Sequence, residues 1–297
     1  MKIATFNINN VNKRLANLLA WLHAAKPDIV CLQELKAETR AFPVREIEEA
    51  GYYAVWQGQR TWNGVAILSK REPVLIRRAL PGDKSDEQAR YIEAAVSGIV
   101  IACIYLPNGN PQPGPKFDYK LAWFDRLIKH AKTFNKENVP AVLAGDFNVV
   151  PDLAIDIYPT RSWDKDALTQ PEPRARFGKL LGDGWLDSLR AKHPNERIYT
   201  YWDYKRQRWD RNGGLRLDHL LLNEPLHRRL TRAGVDKEVR GQEGASDHAP
   251  TWVELKTPRG QNSSIAAHQQ CDLQCIERTP AIQMAGGEGR SHSTHSS

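Results

Sequence analysis

The chain has 297 residues, 41% hydrophobic and 26% charged, an ordinary globular composition that excludes collagen-like, low-complexity and disulfide-scaffold classes and leaves room for one or two domains. No eighteen apolar residues run together, and the first apolar stretch breaks into Asn7, Asn9, Asn10 and Asn12 before a signal core forms, which predicts a soluble, unexported, cytoplasmic protein with no membrane partner. A net charge of +7 suits a polyanionic partner, because clustered Lys and Arg release counterions from a phosphate backbone.

Elements follow from periodicity. A first strand over 3–6 ends at Asn7, and Leu15, Leu18, Leu19 and Leu22 then recur at helical spacing until Pro27 and Asp28 stop the helix. The apolar run over 29–32 is a strand ending near Glu34, and further short strands are predicted over 64–69, 91–96 and 99–105. A long helix over 117–134 carries Leu121, Phe124, Leu127 and Ile128 on one face. Strands over 141–144 and 217–222 and shorter helices over 177–181 and 187–192 complete the pattern. Strands outnumber helices and several are joined by hairpin-sized connections, which predicts a two-sheet sandwich with helices outside. A doubly wound nucleotide-binding fold is the competitor, but neither G-x-G-x-x-G after the first strand nor a P-loop signature is present.

The domain is expected to span 1–257, followed by a disordered polar tail over 258–297. In that tail Arg259, Arg278 and Arg290 are matched by Asp272, Glu277 and Glu288, so the excess positive charge lies in the domain. Cys31 and Cys103 sit in apolar runs and Cys271 and Cys275 in the tail, which is no disulfide framework. His268 with Cys271 and Cys275 lacks the second pair that a zinc site needs.

Polar, metal-competent residues recur where apolar strands stop: Asn7, Glu34, Asp146 with Asn148, Asp218, and Asp247 with His248. Each alone reads as a strand cap, and Asp146 with Asn148 reads as an Asx turn. If the strands lie side by side, however, their ends gather at one edge, and alternation aims Asp146 and Asn148 to the same side. Several carboxylates cannot share a cleft unneutralised, because like charges repel. Oxygen donors with few His and no Cys suit Mg²⁺, with Mn²⁺ able to substitute, and Mg²⁺ accepts phosphate oxygens, so the substrate is a phosphate ester. Its hydrolysis needs a base to activate water, here Asp146, a neighbour that orients water or phosphate, here Asn148, and a donor to the phosphoryl oxygens, here His248 oriented by Asp218.

These motifs resemble the exonuclease III and abasic-site endonuclease family of the endonuclease/exonuclease/phosphatase superfamily. The likeness covers about 1–256 and is carried by Thr5-Phe6-Asn7-Ile8-Asn9, Leu32-Gln33-Glu34-Leu35-Lys36, the GVAILSK segment over 64–70, Tyr105-Leu106-Pro107-Asn108-Gly109, Gly145-Asp146-Phe147-Asn148-Val149, Leu215-Arg216-Leu217-Asp218 and Ser246-Asp247-His248-Ala249-Pro250. It implies a four-layer α/β sandwich of two packed mixed sheets flanked by helices. It implies Glu34 as principal Mg²⁺ ligand, with Asn7 and Asp247 beside it and Asp146, Asn148 and His248 within the metal-binding set. Tyr105 is implied as an active-site phenol near the phosphate, and schemes differ on whether Asp146 or Tyr105 handles the proton and on one metal or two.

The resemblance also implies an apolar pocket for a flipped, base-less deoxyribose, onto which Tyr201, Leu215 and Leu217 map, with Trp202 adjacent; simple core packing is the other reading. Arg206, Arg208, Arg211 and Arg216 interleave with aromatics in this stretch, a pattern suited to opened nucleic acid. The implied activities on double-stranded DNA are incision 5′ to abasic sites, 3′–5′ exonuclease action and 3′-phosphatase action, by a monomer using no organic cofactor. A same-fold phosphatase or other phosphodiesterase, and a catalytically inactive nucleic-acid-binding protein, are the alternatives.

Overall fold

Stretches such as Ile29–Gln33 and Val65–Ser69, buried at every residue, can form only strands covered on both faces. The computed structural model describes residues 1–257; the expected tail, with His268, Cys271 and Cys275, lies outside the described residues. The chain runs β1 (Lys2–Asn7), α1 (Leu15–Ala25), β2 (Ile29–Gln33), α2 (Val44–Glu49), β3 (Tyr53–Gln57), β4 (Val65–Ser69), β5 (Val74–Arg77), β6 (Tyr91–Val96) and β7 (Ile99–Tyr105). It continues through α3 (Pro115–Lys136), β8 (Ala141–Asp146), α4 (Pro171–Gly182), β9 (Leu186–Asp187), α5 (Ser188–Lys192), β10 (Asp218–Leu222), α6 (Glu224–His227), β11 (Leu230–Val235) and β12 (Thr251–Leu255).

Among the described residues these strands form two six-stranded sheets, ordered β11-β12-β1-β2-β4-β3 and β5-β6-β7-β8-β10-β9. Each is mixed: β1 pairs parallel with β2 and β7 parallel with β8, both across a helix, while the remaining pairs are antiparallel. Ile3, Cys31, Ile67, Ile101, Val142 and Leu220 fill the space between the sheets. One outer face is covered by α1 through Leu18, Trp21 and Leu22, the other by α3 and α4 through Phe124, Leu127, Phe177 and Leu180. The expected four-layer α/β sandwich is what the chain forms. Among the described residues no helix is long and apolar enough to cross a membrane.

Details depart from the periodicity. On α1 Trp21 is buried where Leu15 and Leu19 were expected, and on α3 Trp123 is buried while Leu121 is only partly so. The edge strands β3 and β5 and the strands β11 and β12 were not anticipated. All four carry exposed or half-buried polar residues, and β11 contains Gly234 and Arg232, so their apolar signal is weak.

Register places the site. Tyr105 lies opposite Asp146 and Asp146 opposite Asp218, so three functional side chains stand in one row across β7, β8 and β10. Gly145 permits this row, since a Cβ there would lie 1.8 Å from the Ile104 carbonyl oxygen.

Behind the row, Arg216 is buried and closes an ionic network. It donates twice to Asp156, at 2.6 and 2.8 Å, and once to Asp187 at 2.7 Å. Its Nη1 lies 3.0 Å from Nδ1 of His219; a guanidinium can only donate, so Nδ1 accepts and Nε2 carries the proton toward the Val149 carbonyl. Burial, then the neighbouring Arg216 charge, lowers His219 to about 4. The folded state therefore keeps His219 neutral, whereas an unfolded histidine titrates near pH ~6.5. The stabilisation is complete above that value and is lost as pH falls toward 4. Relative to His219→Gln, wild-type stability should drop by on the order of 2 to 3 kcal/mol between pH 7.5 and 4.5 in urea unfolding; an unchanged difference between the two proteins would refute it.

Candidate active site

At the mouth between the sheets, Asn7 from β1 bridges the two layers. Its Nδ2 donates to Glu34 Oε1 at 2.9 Å and to Asp146 Oδ2 at 3.0 Å. The β1 end is fixed by Ser246, whose hydroxyl donates to the Asn7 carbonyl at 2.6 Å and accepts from the His248 amide at 3.2 Å. One serine thereby ties the Asp247-His248 turn to the first strand.

Glu34 stands just past β2 with φ +52°, in the left-handed region, as does Lys36 at +49°. A non-glycine residue rarely adopts it without support. The support is a ring of donors: Tyr105 Oη donates to Glu34 Oε1 at 2.9 Å and Lys36 Nζ lies 2.9 Å from Oε2. Burial alone would push this carboxyl up, but the Lys36 charge and the Asn7 hydrogen bond overcome it and hold Glu34 below its ordinary value. Burial and the Glu34 charge push the Tyr105 phenol well above its ordinary value, so it stays protonated.

Asp146 ends β8, and Asn148 lies beyond the strand with φ +46°. Strand alternation is therefore not what brings the two together. The Asn148 amide donates to Asp146 Oδ1 at 2.9 Å, closing an Asx turn, and the Asn148 side chain then donates to the Leu106 carbonyl at 2.8 Å. The turn and the site are one feature. Burial raises Asp146 to about 7, opposed by His248 and reinforced by Asp218 and Glu34.

His248 Nδ1 meets Asp218 Oδ2 at 2.8 Å, and Nε2 lies 3.9 Å from Asp146 Oδ2. Burial works against the charged ring, yet the Asp218 carboxylate, then Asp146 and Asp247, raise His248 to about 10. The ring is an imidazolium at neutral pH, with both nitrogens protonated. The main-chain amides of Leu217 and Asp218 in turn donate to the Thr200 hydroxyl at 2.9 and 3.1 Å, fixing the strand that presents Asp218.

Asp247 stands slightly apart, its Oδ1 accepting from Asn9 Nδ2 at 2.8 Å, while Asn9 Oδ1 accepts from Lys36 Nζ at 2.6 Å. Asn9 and Lys36 thus link Asp247 to Glu34. Neither was singled out as a site residue, although both sit inside motifs whose alternate positions were. Asn108, which donates to Asn148 Oδ1 at 3.2 Å, was likewise overlooked.

The donors are carboxylate and amide oxygens, with a firmly ionised Glu34 at the centre and an ammonium already drawn in between Glu34 and Asn9. Among the described residues no three His, Cys, Asp or Glu side chains cluster closely enough to cage a metal ion. Carboxylate and amide oxygens of this kind are the donor set that suits a hard cation.

Beside His248, Tyr201 stacks obliquely at 4.9 Å between ring centroids and packs on an apolar cluster of Val150, Ile157, Trp163, Leu168, Leu215 and Leu217. Trp163 is a member of this cluster that its local sequence does not reveal. Two expected pocket residues are not there. Trp202 lies in a different cluster, buried with Tyr199 and Ala249. Arg216 is 1% exposed and its donors are spent on Asp156 and Asp187, which leaves none for DNA. Arg208 is also buried, over the Trp163 ring, whereas Arg206 and Arg211 are exposed.

A sequence profile of the Endonuclease/Exonuclease/phosphatase family matches residues 4–248. Exodeoxyribonuclease III of Haemophilus influenzae is 33% identical over 268 residues, covering 86% of this chain and 100% of that protein. An AP endonuclease from Archaeoglobus fulgidus superposes with a TM-score of 0.82 at 36% identity, over 86% of this chain and 100% of that one. A 3′ phosphatase from Neisseria, solved bound to a product DNA hairpin, superposes with a TM-score of 0.83 at 38% identity over the same shares.

If Asp218 holds the imidazolium, Asp218→Asn should lower the His248 pKa by about a unit or more, read from ring-proton chemical shifts across pH. A titration unchanged from wild type would mean that Asp218 is not what charges the ring.

Proposed function

The chain belongs to the Endonuclease/Exonuclease/phosphatase family, and from that premise we propose that it is a DNA-repair nuclease. It hydrolyses phosphodiesters 5′ to abasic sites and at 3′ ends of double-stranded DNA, acting as 3′–5′ exonuclease and 3′-phosphatase, as a monomer. The observation that carries this is the meeting of Glu34, Asn7, Asp146, Asn148 and the Asp218-His248 pair at one rim, beside the apolar cluster that holds Leu215 and Leu217.

Asp146 is the base. With its carboxyl raised to about 7, it can take a proton from water at neutral pH and release it again, the condition for efficient proton transfer. Tyr105 is not the base, because its phenol is held protonated; it donates to Glu34 and orients that carboxylate. The His248 imidazolium, aimed by Asp218, donates to a phosphoryl oxygen as charge builds there. Asn148 supplies an amide that orients water or phosphate from a conformation fixed by Asp146.

Glu34, with Asn7 and Asp247 beside it, would hold a divalent cation, Mg²⁺ with Mn²⁺ substituting. Bound there it supplies Lewis-acid neutralisation of the phosphoryl oxygens. Tyr201, packed on the apolar cluster of Trp163, Leu168, Leu215 and Leu217 beside His248, would meet a flipped sugar without its base, which is extruded easily because no pairing is broken.

A duplex carrying one tetrahydrofuran abasic analogue, incubated with and without Mg²⁺, tests the reading. Incision should require Mg²⁺, and Asp146→Ala should slow it by about 10² to 10⁴-fold; Mg²⁺-independent cleavage, or an Asp146→Ala protein as active as wild type, would overturn it. Glu34→Ala should raise the Mg²⁺ concentration needed for half-maximal activity while DNA affinity stays within about threefold. An unchanged Mg²⁺ titration would remove Glu34 from the metal site.

A further inference from the structure

On α3 the residues facing the sheet follow helical spacing through Phe117, Lys120, Phe124, Leu127, Ala131 and Phe134. Lys120 is the charged member of that stripe and is 0% exposed. Its Nζ donates to three main-chain carbonyls: Asn148 at 2.6 Å, Asn108 at 3.0 Å and Ala167 at 3.0 Å. Three acceptors match the three protons of an ammonium, and none is left to offer a substrate. Among the described residues no carboxylate lies within ion-pair distance of it. A methionine of similar length would fill the same space without burying a charge, but it would leave three inward carbonyls without donors.

The three carbonyls come from three separate loops. Asn108 lies between β7 and α3, Asn148 just beyond β8, and Ala167 in the segment that brings Leu168 and Trp163 to the apolar cluster under Tyr201. Asn148 is held in its left-handed conformation by Asp146 on its amide and by Lys120 on its carbonyl. Its side chain is held by Leu106 and by Asn108, whose own carbonyl Lys120 also binds. The chain packs on the lysine stem as well: a Cβ at Gly109 would lie 2.6 Å from Lys120 Cδ.

We propose that Lys120 is a positioning residue for phosphodiester hydrolysis, its ammonium fixing Asn148 and tying it to the loop that carries Ala167. It touches neither substrate nor metal ligand side chain, and it acts through the main chain of Asn148 and Ala167. The proposal rests on the assignment of Asn148 to the phosphate.

A double-mutant cycle tests it, with kcat for incision of the abasic duplex and Kd for the uncleaved duplex both measured. Lys120→Met should lower kcat by about tenfold or more with Kd changed less than about threefold. In an Asn148→Ala background the same substitution should cost less than about threefold, because the group it positions is gone. Equal losses in both backgrounds, or a rise in Kd as large as the fall in kcat, would overturn the proposal and leave Lys120 a purely structural lysine. Should Lys120→Met not fold by circular dichroism, Lys120→Gln, which retains two N–H donors, carries the cycle with the same criteria. The two levels separate cleanly: an Asn148→Ala protein as active as wild type removes Asn148 from the phosphate and the clamp with it. A loss in Asn148→Ala with none in Lys120→Met overturns the clamp alone.

Discussion

Negative charge held out of water is the constraint from which the rest of the site follows. Glu34, Asp146 and Asp218 stand at one end of an apolar sandwich, and a carboxylate in such surroundings either finds compensation or takes up a proton. Each is compensated differently. Glu34 is ringed by Lys36, Asn7 and Tyr105 and stays ionised. Asp218 faces the imidazolium of His248. Asp146 receives only neutral amide donors, from Asn7 and from the main chain and side chain of Asn148, with the ring at 3.9 Å, and its carboxyl is the one raised to about 7. Division of labour among three chemically similar groups is therefore a matter of neighbours, and the least compensated one is the one free to exchange a proton.

Much of this was legible in the sequence because strand ends are where the fold collects polar side chains, and the buried strands β1, β2, β7, β8 and β10 have strong apolar signals. The motif around Asp146 gave both readings that the structure unites, an Asx turn and an active-site pair. What stayed hidden depends on orientation and on distant partners. Nothing local in Arg216 reveals that Asp156 and Asp187 wait for it, and so its charge was assigned to a DNA-facing surface when it closes the interior. Trp202 differs from Tyr201 by one position and yet lies in a different cluster. Lys36 and Asn9 were visible as letters of their motifs but not as a bridge, because the contact between them is formed only when β1 and β2 lie side by side. Lys120 offered a local signal, a cation on an apolar helical stripe, but its meaning comes from three carbonyls spread over some sixty residues.

The apolar cluster beside Tyr201 and the ionic network behind it meet on one strip of chain. Leu215 and Leu217 sit in the cluster while Arg216 between them joins the network. One short strip thus serves an apolar surface on one side and a buried ion cluster on the other, with Thr200 accepting main-chain donors at its end.

Asn7 and Asp146 belong to different sheets and are joined by one 3.0 Å hydrogen bond. The distance between Glu34 and Asp146 is therefore set by the thickness of the apolar filling beneath them, Cys31 and Ile67 on one side and Ile101, Cys103 and Val142 on the other. That filling acts as a spacer as well as a core. Packed interiors are nearly incompressible, so side-chain volume well below the rim becomes a determinant of how far apart the reacting groups stand, and reaction rate is linked to residues that never meet solvent or substrate.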